Sequence, residues 1–139
     1  MKVLVSSCIL GRNCKYNGGN NLNSNVIKFL KDKEVVEICP ELLANMPIPR
    51  PSAELVKGIV TDIYGNNVDD GYQHASQLAL EKIKDIEIDL VILQSRSPTC
   101  GVNQIYDGSF TNKLIEGQGL FAKALIQAGY KVLDSEEFK

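Results

Sequence analysis

The chain of 139 residues has no tryptophan, a single histidine, and only 6% aromatic residues. No apolar run approaches the roughly 20 residues that a membrane-spanning helix needs, so no membrane partner is expected. There is no C-x-x-C pair, which excludes the local spacing of a zinc ribbon or a ferredoxin-type cluster. No complete P-loop or dinucleotide fingerprint is present, and there are no internal repeats or low-complexity tracts. The formal net charge of −2 gives no strong sign of nucleic-acid binding. Met1 and Lys2 lead straight into a short strand, without the apolar region and cleavage site of a secretory leader, so a cytoplasmic location is expected. Thiols are usually reduced there, and a disulfide framework is the weaker default.

Hydrophobic residues at 44% and charged residues at 23% fit one globular domain, residues 1–139, with one core. Val3–Val5, Val35–Ile38, Ile59–Tyr64, Leu90–Leu93 and Lys131–Leu133 read as strands. Helices are expected over Asn25–Lys31, Tyr72–Lys84 and Gly119–Ala128, with Asn23 or Ser24 capping the first. Pro47, Pro49 and Pro51 rule out a regular helix in the stretch PELLANMPIPRPSAEL. A loop is expected around Asp107-Gly108. Strands alternating with helices predict an α/β fold: a single three-layer domain with a mostly parallel sheet, Rossmann/flavodoxin-like. The oligomeric state is left open.

Four cysteines are present, and three occupy equivalent places. Cys8 follows the first strand, Cys39 the second, and Cys100 lies just past Leu90–Leu93. In a parallel sheet these carboxyl ends share one edge, outside which ligands of open α/β folds bind. Three converging sulfurs suit zinc with a fourth ligand, or an iron–sulfur cluster with one iron left open. His74 belongs to no ligand-spaced group and reads as a surface or packing residue. Glu41, two residues after Cys39, and Ser97, three before Cys100, are candidates for proton transfer. Arg12, Arg50 and Arg96 lie in the same loops and suit phosphate or carboxylate groups. Gly117-x-Gly119 could let a phosphate approach a helix N-terminus.

The segments VSSCILGRNCKYNGG, ICPELLANMPIPRPSAEL, SRSPTCG, IYDGSF and GQGLFAKALIQAGY together resemble the bacterial family long labelled domain of unknown function 523, which includes thiouracil desulfidases. The resemblance covers essentially the whole chain, in order. It implies a [4Fe-4S] cluster held by Cys8, Cys39 and Cys100, with one iron not ligated by protein. It also implies catalytic roles for Glu41 of the CPE motif and Ser97 of the SPTC motif. Cys14 is left out of the ligand set, as a bystander in a covering loop. The implied reaction is a non-redox C–S hydrolysis: water replaces the sulfur of a small-molecule thiolated pyrimidine, thiouracil or a thiolated uridine nucleotide, giving the uracil compound and sulfide. Ala44-Asn45-Met46 stands where relatives carry a glycine-rich stretch, and Met46 is expected to shape the pocket. Two other readings use the same residues: a non-catalytic metal- or nucleotide-binding module, and a redox thiol pair Cys8–Cys14, which requires the intervening loop to fold back.

Overall fold

The computed structural model describes residues 1–138. The strands are β1 (Lys2–Ser6), β2 (Glu34–Ile38), β3 (Ala53–Val56), β4 (Ile59–Asp62), β5 (Leu90–Leu93), β6 (Gln104–Tyr106), β7 (Leu114–Glu116) and β8 (Val132–Asp134). The helices are α1 (Ser24–Leu30), α2 (Pro40–Leu43), α3 (Asp69–Ile83) and α4 (Leu120–Gln127).

The two runs without a polar residue, Val3-Leu4-Val5 and Leu90-Val91-Ile92-Leu93, form the middle of one sheet with the order β2-β1-β5-β8. All its pairings are parallel, with Val3 opposite Val35 and Leu90. Side chains alternate across the sheet. Val3, Val5, Leu90 and Ile92 pack on Val26 and Leu30 of α1. Leu4, Val91 and Leu93 pack on Ala79 and Ile83 of α3 and on Phe121 and Leu125 of α4. Both faces are covered, so these strands have no polar face. Each large side chain removed from water this way contributes roughly 1.5–3 kcal/mol. Asn23 sets the start of α1: its Oδ1 accepts from the N–H groups of Asn25 and Val26 at 3.0 and 3.1 Å, which satisfies two otherwise unpaired donors.

The expected three-layer α/β arrangement is the one observed. Outside the main sheet it differs in detail. Ile59–Asp62 does not join that sheet; it pairs antiparallel with Ala53–Val56 in a separate hairpin. The segment around Asp107-Gly108 is the connection of a second hairpin, β6–β7, whose three-residue strands are too short to leave a periodic signal. Within PELLANMPIPRPSAEL, Pro40–Leu43 forms one helical turn ahead of the three prolines. Pro40 is at its first turn, where its missing N–H has no cost. Asn45 takes φ +56°, so it keeps the left-handed turn that glycine favours and asparagine tolerates. Met46 faces α3 near Gly71 and does not line the main cavity, contrary to expectation.

The candidate functional site: four thiols and a buried ion pair

β1 and β5 are neighbours, while the chain leaves β1 to form β2 on the opposite side. That is the switch point of the sheet, and a cavity of about 410 Å³ opens beyond its carboxyl edge, within the usual size range for small-molecule sites. Cys8, Cys14, Cys39, Cys100, Glu41 and Ser97 all line it.

Each thiol is held by its own local structure. Cys8 lies in a 3-10 turn, Ser7–Leu10, closed by Gly11 at φ +94°. Its carbonyl accepts from the Asn21 N–H at 3.0 Å, and the Asn21 amide donates to its sulfur at 3.4 Å. Cys39 follows β2 in extended conformation and caps the start of α2; its carbonyl accepts from the Leu43 N–H at 3.1 Å. Cys100 is 8% exposed and its thiol meets Ser6 at the end of β1. The SPTCG loop that carries it is pinned from two sides. Ser97 Oγ accepts from the N–H groups of Thr99 and Cys100 at 3.1 and 2.6 Å. From the other side, the N–H groups of Leu120, Phe121 and Ala122 donate to Pro98 O and Thr99 O at 2.8–3.2 Å.

The N-terminus of α4 is therefore satisfied by the chain itself. The expectation that Gly117-x-Gly119 admits a phosphate there is overturned. Gly119 serves a different purpose: a Cβ on it would lie 2.6 Å from Thr99 O and 2.8 Å from Cys100 N.

Cys14 is the second departure. It is 3% exposed, and it shares the cavity with Cys8 and Cys39. The loop from Gly11 does fold back, and Cys14 sits among the cysteines instead of over them. The neighbouring Cys14 thiol lowers the Cys8 thiol to about 7, with burial opposing and Asn21 assisting. It lowers Cys39 likewise, against burial and the Glu41 charge. Cys14 itself is raised, by the neighbouring Cys39 and Cys8 thiols and by burial. Burial, then the nearby Glu41 charge, raises Cys100.

Glu41 sits in the first turn of α2 with its side chain 18% exposed, paired to Arg50, whose side chain is 6% exposed. Arg50 Nη2 donates to Glu41 Oε2 at 3.0 Å and also to the Cys14 carbonyl at 3.2 Å. Thr99 Oγ1 donates to Glu41 Oε1 at 3.4 Å. Arg50 Nε is buried with no partner. Burial raises the Glu41 carboxyl above its ordinary value, and Arg50 and Thr99 offset part of that. The Tyr72 hydroxyl is pushed up to about 12, by burial first and the Glu41 charge second.

The other expected candidates separate. Arg96 lines the cavity and pairs with Glu136 at 2.9 Å. Arg12 is a surface residue bonded to Glu37 at 3.0 and 3.1 Å, away from the cavity. His74 is an exposed residue of α3, in line with its reading as a surface residue. Thr99 and Tyr72 were not singled out by sequence. Thr99 had a signal, its place beside Cys100 in SPTC; Tyr72 had none.

The donor set is all sulfur. Among the described residues, no three of His, Cys, Asp and Glu are grouped to hold one metal ion. The four thiols line one cavity, and soft thiolate donors fit zinc or an iron–sulfur cluster there.

A parallel sheet with a thiol-lined cavity at its switch point belongs to the class of open α/β folds, whose ligands bind outside that edge. The comparisons narrow the class. Residues 3–137 match the family model described as 2-thiouracil desulfurase, and the chain belongs to that family. It is 37% identical to the uncharacterized protein YbbK of Bacillus subtilis (strain 168), over 97% of this chain and 96% of that one. Among solved structures it is similar to the [4Fe-4S]-dependent thiouracil desulfidase TudS, with a TM-score of 0.89 and 30% identity, over 98% of this chain and 91% of that one.

Proposed function

We propose that this protein is a [4Fe-4S]-dependent desulfidase that removes sulfur from thiouracil or a thiolated uridine nucleotide. The observation that carries the reading is the cavity itself: Cys8, Cys39 and Cys100, delivered by three parallel strands, surround the same space as a buried carboxylate, Glu41. Those three cysteines would hold the cluster with one iron free of protein ligands, and the bound cluster would supply a thiophilic Lewis acid for the sulfur of the base.

The chain's own residues account for the proton chemistry. Glu41 is the general base: it takes a proton from the water that attacks the thiolated carbon. Its raised proton affinity, from burial, suits it to hold that proton and pass it to the departing sulfur. Arg50 and Thr99 hold one carboxylate oxygen each, fixing its direction. Ser97 accepts two N–H groups and keeps its hydroxyl hydrogen to donate to a polar atom of the base. The balance is C=S plus water giving C=O plus hydrogen sulfide, with no electron transfer. Lys15 lines the cavity and brings positive charge suited to a nucleotide phosphate; the Arg96 charge beside it is already paired to Glu136.

The test is sulfide release by anaerobically reconstituted protein from 2-thiouracil, 4-thiouracil and the thiolated uridine monophosphates. Release that tracks iron content is expected. Equal turnover by iron-free protein overturns the reading, and the preferred substrate separates base from nucleotide.

A further inference from the structure

One buried carboxylate on the cavity wall has no part in the proton chemistry. Glu54 of β3 is 9% exposed and lines the cavity. Its Oε1 accepts from the N–H groups of Gly108 and Phe110 at 3.0 and 3.2 Å. Those bonds tie the β6–β7 connection to β3, and the approach is close: a Cβ on Gly108 would lie 2.8 Å from Leu55 O. Among the described residues the other oxygen, Oε2, has no hydrogen bond, and none of their ion pairs includes Glu54. Oε2 is not sealed in either, since the one enclosed, unpartnered side-chain N or O atom among them is Arg50 Nε.

Holding the loop requires no charge. A glutamine oxygen would accept the same two N–H groups, and a carboxylate without a cation costs free energy to bury. The charge therefore points to a ligand, and the free oxygen is open to one. Around it, the residues of β3 and of the β6–β7 hairpin that line the cavity include Ser52, Tyr106 and Asn112. These are hydroxyl and amide groups with no cation, which suits a neutral, hydroxyl-bearing part of a ligand and not its phosphate. The ring itself is already served from the main sheet, by Glu41 and Ser97 in the proposed reaction. Glu54 comes from a separate hairpin outside that sheet. It is still within reach of the same ligand: Arg50, which bonds Glu41 at 3.0 Å, is four residues before Glu54, at most about 14 Å of chain.

We propose that Glu54 reads the sugar of a nucleotide substrate: its free Oε2 accepts hydrogen bonds from the ribose hydroxyls of a thiolated uridine nucleotide. The cavity then selects the ribonucleotide over the free base and over the deoxyribonucleotide. The identity of the ring rests on the desulfidase reading above; the preference for ribose is a separate property of this wall. A hydroxyl donating to a charged acceptor is worth about 10- to 100-fold in affinity.

The experiment is isothermal titration calorimetry on the full-length protein, both iron-free and reconstituted, with uridine monophosphate, its 2′-deoxy and 3′-deoxy forms, and uracil. Binding is read without turnover. Wild type should bind uridine monophosphate about 10- to 100-fold more tightly than at least one deoxy form. Glu54→Gln, which keeps an oxygen for Gly108 and Phe110, should reduce that preference by at least about fivefold and bind uracil as wild type does. In sulfide release from 4-thiouridine monophosphate the loss should appear in KM, as expected for binding energy shared by ground and transition states. Where the variant is unstable, the preference of wild type for ribose decides alone. Equal affinity of wild type for the ribose and both deoxy forms, an undiminished preference in a folded Glu54→Gln protein, or an equal loss for uracil and the nucleotide overturns the inference. A protein that shows the ribose preference and its loss, yet releases no sulfide from any thiolated pyrimidine, upholds the role of Glu54 and sinks the desulfidase reading instead.

Discussion

Replacing Gly119 by alanine tests the claim that the position of Cys100 depends on how closely its loop lies against α4. Gly119 has φ −71° and ψ 167°, a conformation alanine adopts freely, so the backbone contributes no strain of its own. The cost is steric. The added methyl would lie 2.6 Å from Thr99 O and 2.8 Å from Cys100 N, under the 3.0 Å floor that real Cβ atoms observe. These are backbone atoms, unable to rotate away. Relief requires lifting the SPTC turn from the helix, which stretches the 2.9 Å bond from Phe121 N to Thr99 O. Overpacking costs about 1–3 kcal/mol and a weakened buried hydrogen bond about 1 kcal/mol more, so about 2–4 kcal/mol is expected. That is a large share of the roughly 5–15 kcal/mol that hold a typical domain folded, and corresponds to a fall in melting temperature on the order of 10 °C.

Gly71→Ala is the matched control. It lies in α3, and its new methyl would sit 3.8 Å from Met46 Cε, an ordinary contact. There the same substitution should stabilise by about 0.5–1 kcal/mol, through reduced backbone entropy of the unfolded chain. Urea unfolding reads both variants, with midpoints moving in opposite directions at unchanged slope. Iron per chain after anaerobic reconstitution should fall for Gly119→Ala and hold for Gly71→Ala. A Gly119→Ala protein with wild-type stability and full iron would refute the reasoning.

Glu41→Gln should lower sulfide release by about 10²–10⁴-fold, the usual weight of a general base, while iron content stays at the wild-type level. Single alanine replacements of Cys8, Cys39 and Cys100 should each lose the brown colour and the iron; Cys14→Ala should keep most of both, as measured by visible absorption and metal analysis. Ser97→Ala removes the acceptor for two N–H groups and should cost about 1–3 kcal/mol in urea unfolding, with slower turnover. Away from the site, the Asp62 carboxylate accepts from the N–H groups of Asn66 and Tyr64 and from the Asn66 amide. The Asn66 backbone bond leads in holding it below its ordinary 3.8, against burial. A depressed carboxyl stabilises above its unfolded value and loses that contribution as pH falls through the folded one. Asp62→Asn should therefore be less stable than wild type near neutrality, and the difference should close in strong acid.

The main sheet was legible because its signal is local. Val3–Val5 and Leu90–Leu93 are apolar at every position, which only a strand covered on both faces tolerates in so short a run. Asn23 starts α1 as its side-chain chemistry requires, and Gly129, just past the expected helix Gly119–Ala128, takes φ +94° where α4 stops. The convergence of Cys8, Cys39 and Cys100 followed from one rule, that parallel strands end on one edge. The hairpins Ala53–Asp62 and Gln104–Glu116 were partly or wholly missed, since three- and four-residue strands on small sheets carry no dependable alternation.

What sequence did not yield are contacts between irregular segments. Arg50 reaches across 36 residues to the Cys14 carbonyl and across 9 to Glu41, and neither spacing has a period to detect. The same holds for the N-terminus of α4. Gly117-x-Gly119 before a helix is compatible with an anion at the helix start, and equally with another loop of the same chain seated there. Only the three-dimensional placement of Pro98 and Thr99 decides between them. The physical requirement is the same in both cases: the first N–H groups of a helix need acceptors, and a glycine lets the acceptor approach. Here the acceptor is the loop that carries Cys100, so a motif read as a binding site for a ligand is what holds a proposed ligand residue in place.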